Sequence, residues 1–169
     1  MTKIRPLLAA LALLFAFAVP VTAAPLRDCS ELELAPGVDA SNCSLPGVVL
    51  FGLGDLSGID FSRSDLSGAI AGCDPDIRPT SLASADLARV DLSDALLCDV
   101  NFNDADLYRA DLSGSALEDA SFRGADLRRA DLSGITSNFT SFVDADLRGA
   151  DLTDADLSNS SFDGADLRG

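Results

Sequence analysis

The sequence predicts an all-β solenoid in which the chain turns a corner every five residues. Three observations support this: a Leu or Phe at every fifth position, a small or apolar residue two positions before each, and a Phe at every twentieth position. The five-residue series runs from Leu82 to Leu132 and from Phe142 to Leu167, with Ser137 as the one polar exception between them. A flat strand alternates faces every two residues and a helix repeats every 3.6, so neither buries this series on one side. A chain that turns after each unit can point every one of these residues inward.

The phenylalanines set the number of sides. Phe102, Phe122, Phe142 and Phe162 are spaced by 20 residues. Four units of five therefore close one coil, and each Phe should stack on the Phe of the next coil at the inter-strand spacing of about 4.8 Å. The predicted fold is a quadrilateral β-helix.

Residues 1–24 have the features of a secretory signal peptide. Lys3 and Arg5 form a short positive region, residues 7–19 form an apolar run too short to span a bilayer comfortably, and residues 22–24 offer small side chains for cleavage. An uncleaved anchor is the alternative and would need a longer apolar run. We therefore expect an exported protein, periplasmic or secreted, without membrane association after cleavage.

The segment between the signal peptide and the repeats is expected to be a cap. Residues 25–47 contain three prolines and lie outside the series, and a solenoid needs its first coil covered. Residues 48–169 are expected to form the solenoid. The repeat ends in mid-coil at Leu167 without a matching cap, so we expect that another subunit could cover this end by end-to-end self-association.

An earlier stretch carries the same pattern, with centres at Phe51, Leu56, Phe61 and Leu66. The series then loses phase in residues 71–76, which are rich in turn-forming residues, and this predicts an inserted loop near 70–79. With one extra residue allowed for the loop, Phe61 is predicted to lie beneath Leu82.

Four cysteines follow the signal peptide, and an even number in an exported chain favours disulfides. Three pairings are open. Cys29–Cys43 with Cys73–Cys98 is preferred because each bond joins neighbours in the sequence. Zinc binding is not expected, because no Cys-x-x-Cys spacing occurs.

Tandem Ala-Asp-Leu-x-x units, such as residues 125–129, resemble the pentapeptide-repeat family. The resemblance covers residues 48–169 and implies that the quadrilateral β-helix is right-handed. Some members of the family resemble a DNA duplex in shape and charge and bind DNA gyrase. The resemblance therefore also implies an alternative function, a DNA-mimic inhibitor of a DNA-binding enzyme, which the signal peptide disfavours because such a target would be cytoplasmic.

The amino-acid composition excludes several classes of catalysis and of binding partner. The 169 residues include 27 acidic and 12 basic ones, for a net charge of -15, and no His. The lack of His excludes Ser-His and Cys-His catalysis, and the acidity argues against nucleic acid or an anionic membrane as a partner. Carboxylates on exposed faces are poorly placed for acid–base catalysis, so we expect no enzyme activity and no cofactor. Calcium binding is a weaker alternative, since no EF-hand motif occurs.

Sorting the residues by their position in the coil gives four predicted faces. Face 1 is neutral and polar, face 2 carries aspartates next to arginines, and face 4 is irregular. Face 3 carries aspartates with no basic neighbour in its column: Asp91, Asp111, Asp131 and Asp151. Face 3 is the candidate interaction face of a rigid, exported, non-enzymatic module for an unknown protein partner. The alternative is that these aspartates satisfy turn backbone groups and keep the rod soluble.

Overall fold

The computed structural model describes residues 25–30, 32–73 and 79–169. The predicted signal peptide and residues 74–78 of the predicted loop lie outside the described residues. The described chain is all-β, with two short parallel strands, β1 (Arg27–Asp28) and β2 (Cys43–Ser44). Beyond β2 the rungs are joined by single parallel bridges. No helix in the described part is long and apolar enough for a bilayer crossing.

The bridges join equivalent residues of successive coils into four columns, which confirms the four-sided coil. From Ser81 onward the bridged residues are 20 positions apart, for example Ser81 with Asn101. The columns are Asp55, Ser81, Asn101, Ser121, Ser141 and Ser161 on face 1; Asp39, Asp60, Asp86, Asp106, Asp126, Asp146 and Asp166 on face 2; Asp28, Ser44, Asp65, Asp91, Asp111, Asp131 and Asp151 on face 3; and Val49, Ile70, Leu96, Ala116, Thr136 and Asp156 on face 4.

Two inward-facing residues of each five-residue unit fill the core. One is the central Leu or Phe, which follows the bridged residue, and the other is the small residue two positions before it. Phe102, Phe122, Phe142 and Phe162 stack with ring centroids 4.7, 5.2 and 4.9 Å apart and planes within 9° of each other. This column confirms the predicted stacking and measures the spacing of the rungs.

Each corner is a four-residue turn. The Ala85 N–H donates to the Leu82 carbonyl at 3.1 Å, and Ser84, the third residue of that turn, has φ 55°. A positive φ recurs at the third turn residue of each corner that the structure describes. Gly, Asn and Asp tolerate this conformation best, which explains why they recur at this position.

Two insertions shift the register of the early coils. Leu50 is fully buried, so it is the core residue there and the predicted centre Phe51 is wrong. The coil that begins at Asp60 is longer than predicted: Asp60 bridges Asp86, which lies 26 positions later in the chain. Phe61 therefore lies beneath Leu87, and its predicted place beneath Leu82 is wrong. The loop adds six residues rather than one, and turn-forming residues carry no periodic signal from which that length could be read.

Polar side chains and disulfides tie the insertions to the rungs. Thr80 Oγ1 donates to the carbonyls of Leu50 (3.2 Å) and Ala71 (2.8 Å). Both predicted disulfides are present, Cys29–Cys43 and Cys73–Cys98, with Cα atoms 5.5 and 4.7 Å apart. The stacked bridges reach back to Asp39 on face 2. On face 3 the pairing of β1 with β2 extends the ladder back to Asp28, so the ladder includes both ends of the segment expected to be the cap.

Candidate functional site

The aspartates of face 3 are held by the turns that follow them. Asp111 Oδ1 accepts a hydrogen bond from the Ser113 N–H (2.9 Å) and another from the Ser113 hydroxyl (2.6 Å). Asp91 and Asp151 accept the same pair from Ser93 and Thr153, and Asp131 accepts the Ser133 N–H. This is the turn-supporting role that the alternative interpretation gives them. It uses Oδ1 alone, so among the described residues each Oδ2 has no hydrogen-bond partner.

The aspartates of face 2 make the same turn contact, and the last three also form ion pairs. Arg148 Nη2 lies 2.6 Å from Asp146 Oδ2, and Arg148 Nε lies 3.7 Å from Asp166 Oδ2 on the next rung. Arg128 links Asp126 to Asp146 in the same way, and Arg168 pairs with Asp166. These arginines therefore relieve the repulsion between stacked carboxylates on this part of the face.

The ion pairs shift the acidity of this column. The hydrogen bond from Arg168 is the main cause that lowers the pKa of Asp166 to about 2. Hydrogen bonds from Arg128 and Arg148 likewise lower the pKa of Asp126 and of Asp146. These carboxylates therefore stay ionised well below neutral pH.

A second arginine column occupies the corner between faces 2 and 3. It consists of Arg63, Arg89, Arg109 and Arg129, which we call the arginine edge. All four are exposed, and each sits at the third turn position with φ between 58° and 60°. Within the described part of the chain, none of the four lies within ion-pair distance of an acidic group. Seven of the eleven arginines in the sequence lie at this one corner, since Arg128, Arg148 and Arg168 adjoin the edge.

The only tyrosine of the chain stands beside the arginine edge. The guanidinium carbons of Arg109 and Arg128 lie 5.3 and 5.5 Å from the centroid of the Tyr108 ring, within the range of cation–π contacts. A shallow open recess is lined there by Tyr108, Arg128, Arg129 and Arg148. Among the residues that the structure describes, no cluster of three or more His, Cys, Asp or Glu side chains could hold a metal ion.

The arginine edge and face 3 run side by side. Each arginine of the edge precedes a face-3 aspartate by two residues, so four successive rungs repeat Arg-x-Asp: residues 63–65, 89–91, 109–111 and 129–131. The sequence pattern predicted that the arginines after the face-2 centres, Arg89, Arg109 and Arg129 among them, compensate the aspartates of that face. That is correct for Arg128, Arg148 and Arg168, but not for the edge. The recurring Arg-x-Asp tripeptide was the sequence pattern from which the arginine edge could be predicted. Its first copy, residues 63–65, lies in the same column as the others only because the coil that follows it has 26 residues.

Solved structures similar to this chain include two that are described as pentapeptide-repeat proteins. QnrB1, a plasmid-mediated fluoroquinolone resistance protein, is 17% identical over 80% of this chain and 76% of its own, with a TM-score of 0.43. The pentapeptide-repeat protein Rfr23 from the cyanobacterium Cyanothece 51142 is 22% identical over 82% of this chain and 95% of its own, with a TM-score of 0.37. A pentapeptide-repeat protein from the Arabidopsis thaliana thylakoid lumen is 30% identical over 64% of this chain and 61% of its own, with a TM-score of 0.24.

Sequence comparison identifies the repeat itself. No curated protein shows significant similarity to the chain. The family model described as pentapeptide repeats matches residues 80–114, 105–136 and 138–169, with eight copies. These matches span more than half of the 169 residues, and the chain therefore belongs to the pentapeptide-repeat family.

Proposed function

We propose that this protein is an exported, non-enzymatic interaction module that binds a cationic surface of a partner protein through face 3. Pentapeptide-repeat proteins are generally non-enzymatic. Export is supported by the predicted signal peptide and by the two disulfides, which are typical of proteins in oxidising compartments.

The observation that carries the proposal is the fixed geometry of the face-3 carboxylates. Each Oδ1 is held by its turn, as Asp111 is by Ser113, and this leaves one Oδ2 per rung directed away from that contact. A partner meets charges that are already ordered, so less side-chain entropy is lost on binding. Like charges one rung apart also repel one another, and cationic groups of a partner would relieve that repulsion.

A capture experiment tests the proposal. The exported protein is immobilised and incubated with the other proteins of the compartment into which it is exported. Wild type is compared with a face-3 variant, Asp91→Asn with Asp111→Asn and Asp131→Asn. Asn retains the Oδ1 acceptor, so the turns should persist while the charge is removed. The matched control is Asp60→Asn with Asp86→Asn and Asp106→Asn on face 2, since none of these aspartates has an arginine partner within the described residues.

We expect a protein with a cationic surface to be retained by wild type and by the face-2 control, and to be lost by the face-3 variant. Retention by all three proteins would show that face 3 is not the binding surface. The DNA-mimic alternative would instead give capture of a DNA-binding enzyme from the cytosolic fraction.

A further inference from the structure

We propose that the cationic surface bound by face 3 belongs to a second copy of this chain, whose arginine edge docks on face 3 in a side-by-side dimer. The inference rests on the proposed function and names the partner. It is carried by the spacing, the arrangement and the unpaired state of the charges on the four Arg-x-Asp rungs.

The spacing favours another solenoid over an extended peptide. Successive rungs are 4.7 to 5.2 Å apart, as the stacked Phe rings show. An extended peptide presents side chains on one side about every 6.7 Å, so its charges lose register with face 3 within a few rungs. The arginine edge has the same rung spacing as face 3, because both columns belong to the same coils. A second copy can therefore place one arginine opposite each aspartate along the whole contact.

The relative positions of the arginine edge and face 3 allow a closed, twofold-symmetric dimer. On all four rungs the arginine edge lies on the same side of face 3, since each arginine precedes its aspartate by two residues. If the two copies are related by a twofold axis parallel to the solenoid axis, the edge of each copy faces the aspartates of the other. The contact is then isologous and closed, with four Arg–Asp pairs at each of two seams. A twofold axis across the rods would instead place arginine against arginine.

The arginines of the edge and the aspartates of face 3 are both available for such pairing. The arginines of the edge are exposed, and the structure gives them no ion pair with a described residue. On the four Arg-x-Asp rungs, the aspartates at positions 65, 91, 111 and 131 keep Oδ2 free of described hydrogen bonds while their turns hold Oδ1. Arginine–carboxylate pairs are among the strongest charged hydrogen bonds available to a surface. The full chain has a net charge of -15, and removal of residues 1–24 with Lys3 and Arg5 makes each exported copy more negative still. This charge opposes association, so the dimer depends on the pairs at the two seams.

Charge reversal tests the dimer by sedimentation equilibrium of the exported protein. The edge variant is Arg109→Asp with Arg129→Asp. The structure has Asp at equivalent corner positions, Asp94 and Asp104, with φ 56° and 57°, so these changes suit the backbone. The face variant is Asp111→Arg with Asp131→Arg, and Arg123→Asp, at another corner, controls for added negative charge at half the amount that the edge variant introduces.

We expect wild type and the Arg123→Asp control to dimerise, and each reversed variant to self-associate at least about tenfold more weakly, because two rungs at each seam become repulsive. An equimolar mixture of the two reversed variants should form a heterodimer, since every rung is then complementary again. The face variant loses its turn acceptors, so Asp111→Asn with Asp131→Asn is measured beside it. This second variant keeps the turns and should also weaken the dimer.

A wild type that stays monomeric at every protein concentration would overturn the inference, as would a dimer that is unchanged by the edge and Asn variants. The second result is expected if the copies associate end to end. Either result combined with face-3-dependent capture of a different protein with a cationic surface would leave the proposed function standing.

Discussion

The third residue of each turn decides which side chains can stand at the corners of the solenoid. A left-handed conformation costs an ordinary side chain about 1 to 2 kcal/mol and costs Gly little. Gly, Asn or Asp occupies most corners, as at Gly114 and Asp119. The arginine edge instead places long, positively charged side chains at the corners of four rungs. Phe139 is different: it has φ 60° and is 61% exposed, and nothing in the structure explains an aromatic residue at this corner.

Replacing Phe139 by a residue that adopts a positive φ easily should stabilise the protein. Phe139→Gly removes the left-handed penalty, and the greater freedom of Gly in the unfolded chain offsets part of the gain, so we expect a net stabilisation of about 0.5 to 1 kcal/mol in urea unfolding. Val143→Gly, at the second position of the next turn where φ is not positive, is the control and should destabilise. A loss of stability with Phe139→Gly would mean that the ring makes a stabilising contact.

Gly72 has a different requirement, which is space. A Cβ built on Gly72 would lie 1.7 Å from the carbonyl oxygen of Cys98, so the backbone beside the Cys73–Cys98 disulfide would have to move. We expect Gly72→Ala to cost about 2 to 4 kcal/mol, which is typical of overpacking against rigid neighbours. A Cβ on Gly58 meets nothing within 4 Å, so Gly58→Ala should cost only the penalty of its φ of 66°. Equal losses for the two variants would contradict the close approach at Gly72.

At the scale of the element, the five-residue period was enough to predict the core columns from Leu82 onward, because each unit there repeats without insertion. It was not enough before Leu82. The six-residue step from Leu50 to Leu56 and the long coil after Asp60 shift the register by amounts that the period does not encode. Arg89, Arg109 and Arg129 are 20 residues apart, so the period alone placed them in one column beside face 2, whereas Arg63 joins that column only in the true register.

The two acidic faces should respond differently to neutralisation. On face 3, Asp111→Asn with Asp131→Asn keeps the turn acceptors and removes repulsion between rungs. We expect this variant to gain about 0.5 to 1 kcal/mol in low salt, with a gain that shrinks as salt is added. On face 2, Asp126→Asn with Asp146→Asn leaves Arg128 and Arg148 without their main partners and should be neutral or destabilising.

Urea unfolding over a range of salt concentrations, at protein concentrations where the chain is monomeric, measures both effects. If the face-3 variant is less stable at every salt concentration, the charge of its aspartates is needed by the turns themselves. Face 3 would then have a structural role, and its use as a binding surface would lose support.

At the scale of the whole molecule, a net charge of -15 conceals a strong separation of charge. Aspartates form the outward columns of faces 2 and 3, while seven of the eleven arginines lie at the corner between them. Periodicity alone could place the aspartates, because they occupy a constant position in the unit. The role of the arginines depends on which groups they reach in three dimensions, and that could not be read from their spacing.

Export is the whole-molecule prediction that bears on localisation. If residues 1–24 are a signal peptide, N-terminal sequencing of the protein from its native host should begin near Pro25. The two disulfides should then be oxidised in the same material. A soluble cytosolic protein that begins at Met1 would contradict both export and the oxidising compartment that the disulfides imply.

The register across the long coil decides whether Arg63 and Asp65 stand in the same columns as Arg89 and Asp91, and engineered disulfides measure it most directly. Asp60 bridges Asp86, so Ser62 lies one rung below Ala88, at about the 4.8 Å spacing that a disulfide can span. Ser62→Cys with Ala88→Cys should cross-link under oxidising conditions, while Ser62→Cys with Ala83→Cys should not, as peptide mapping without reduction would show. A cross-link between positions 62 and 83, and none between 62 and 88, would place Phe61 beneath Leu82 and break the four-rung Arg-x-Asp surface.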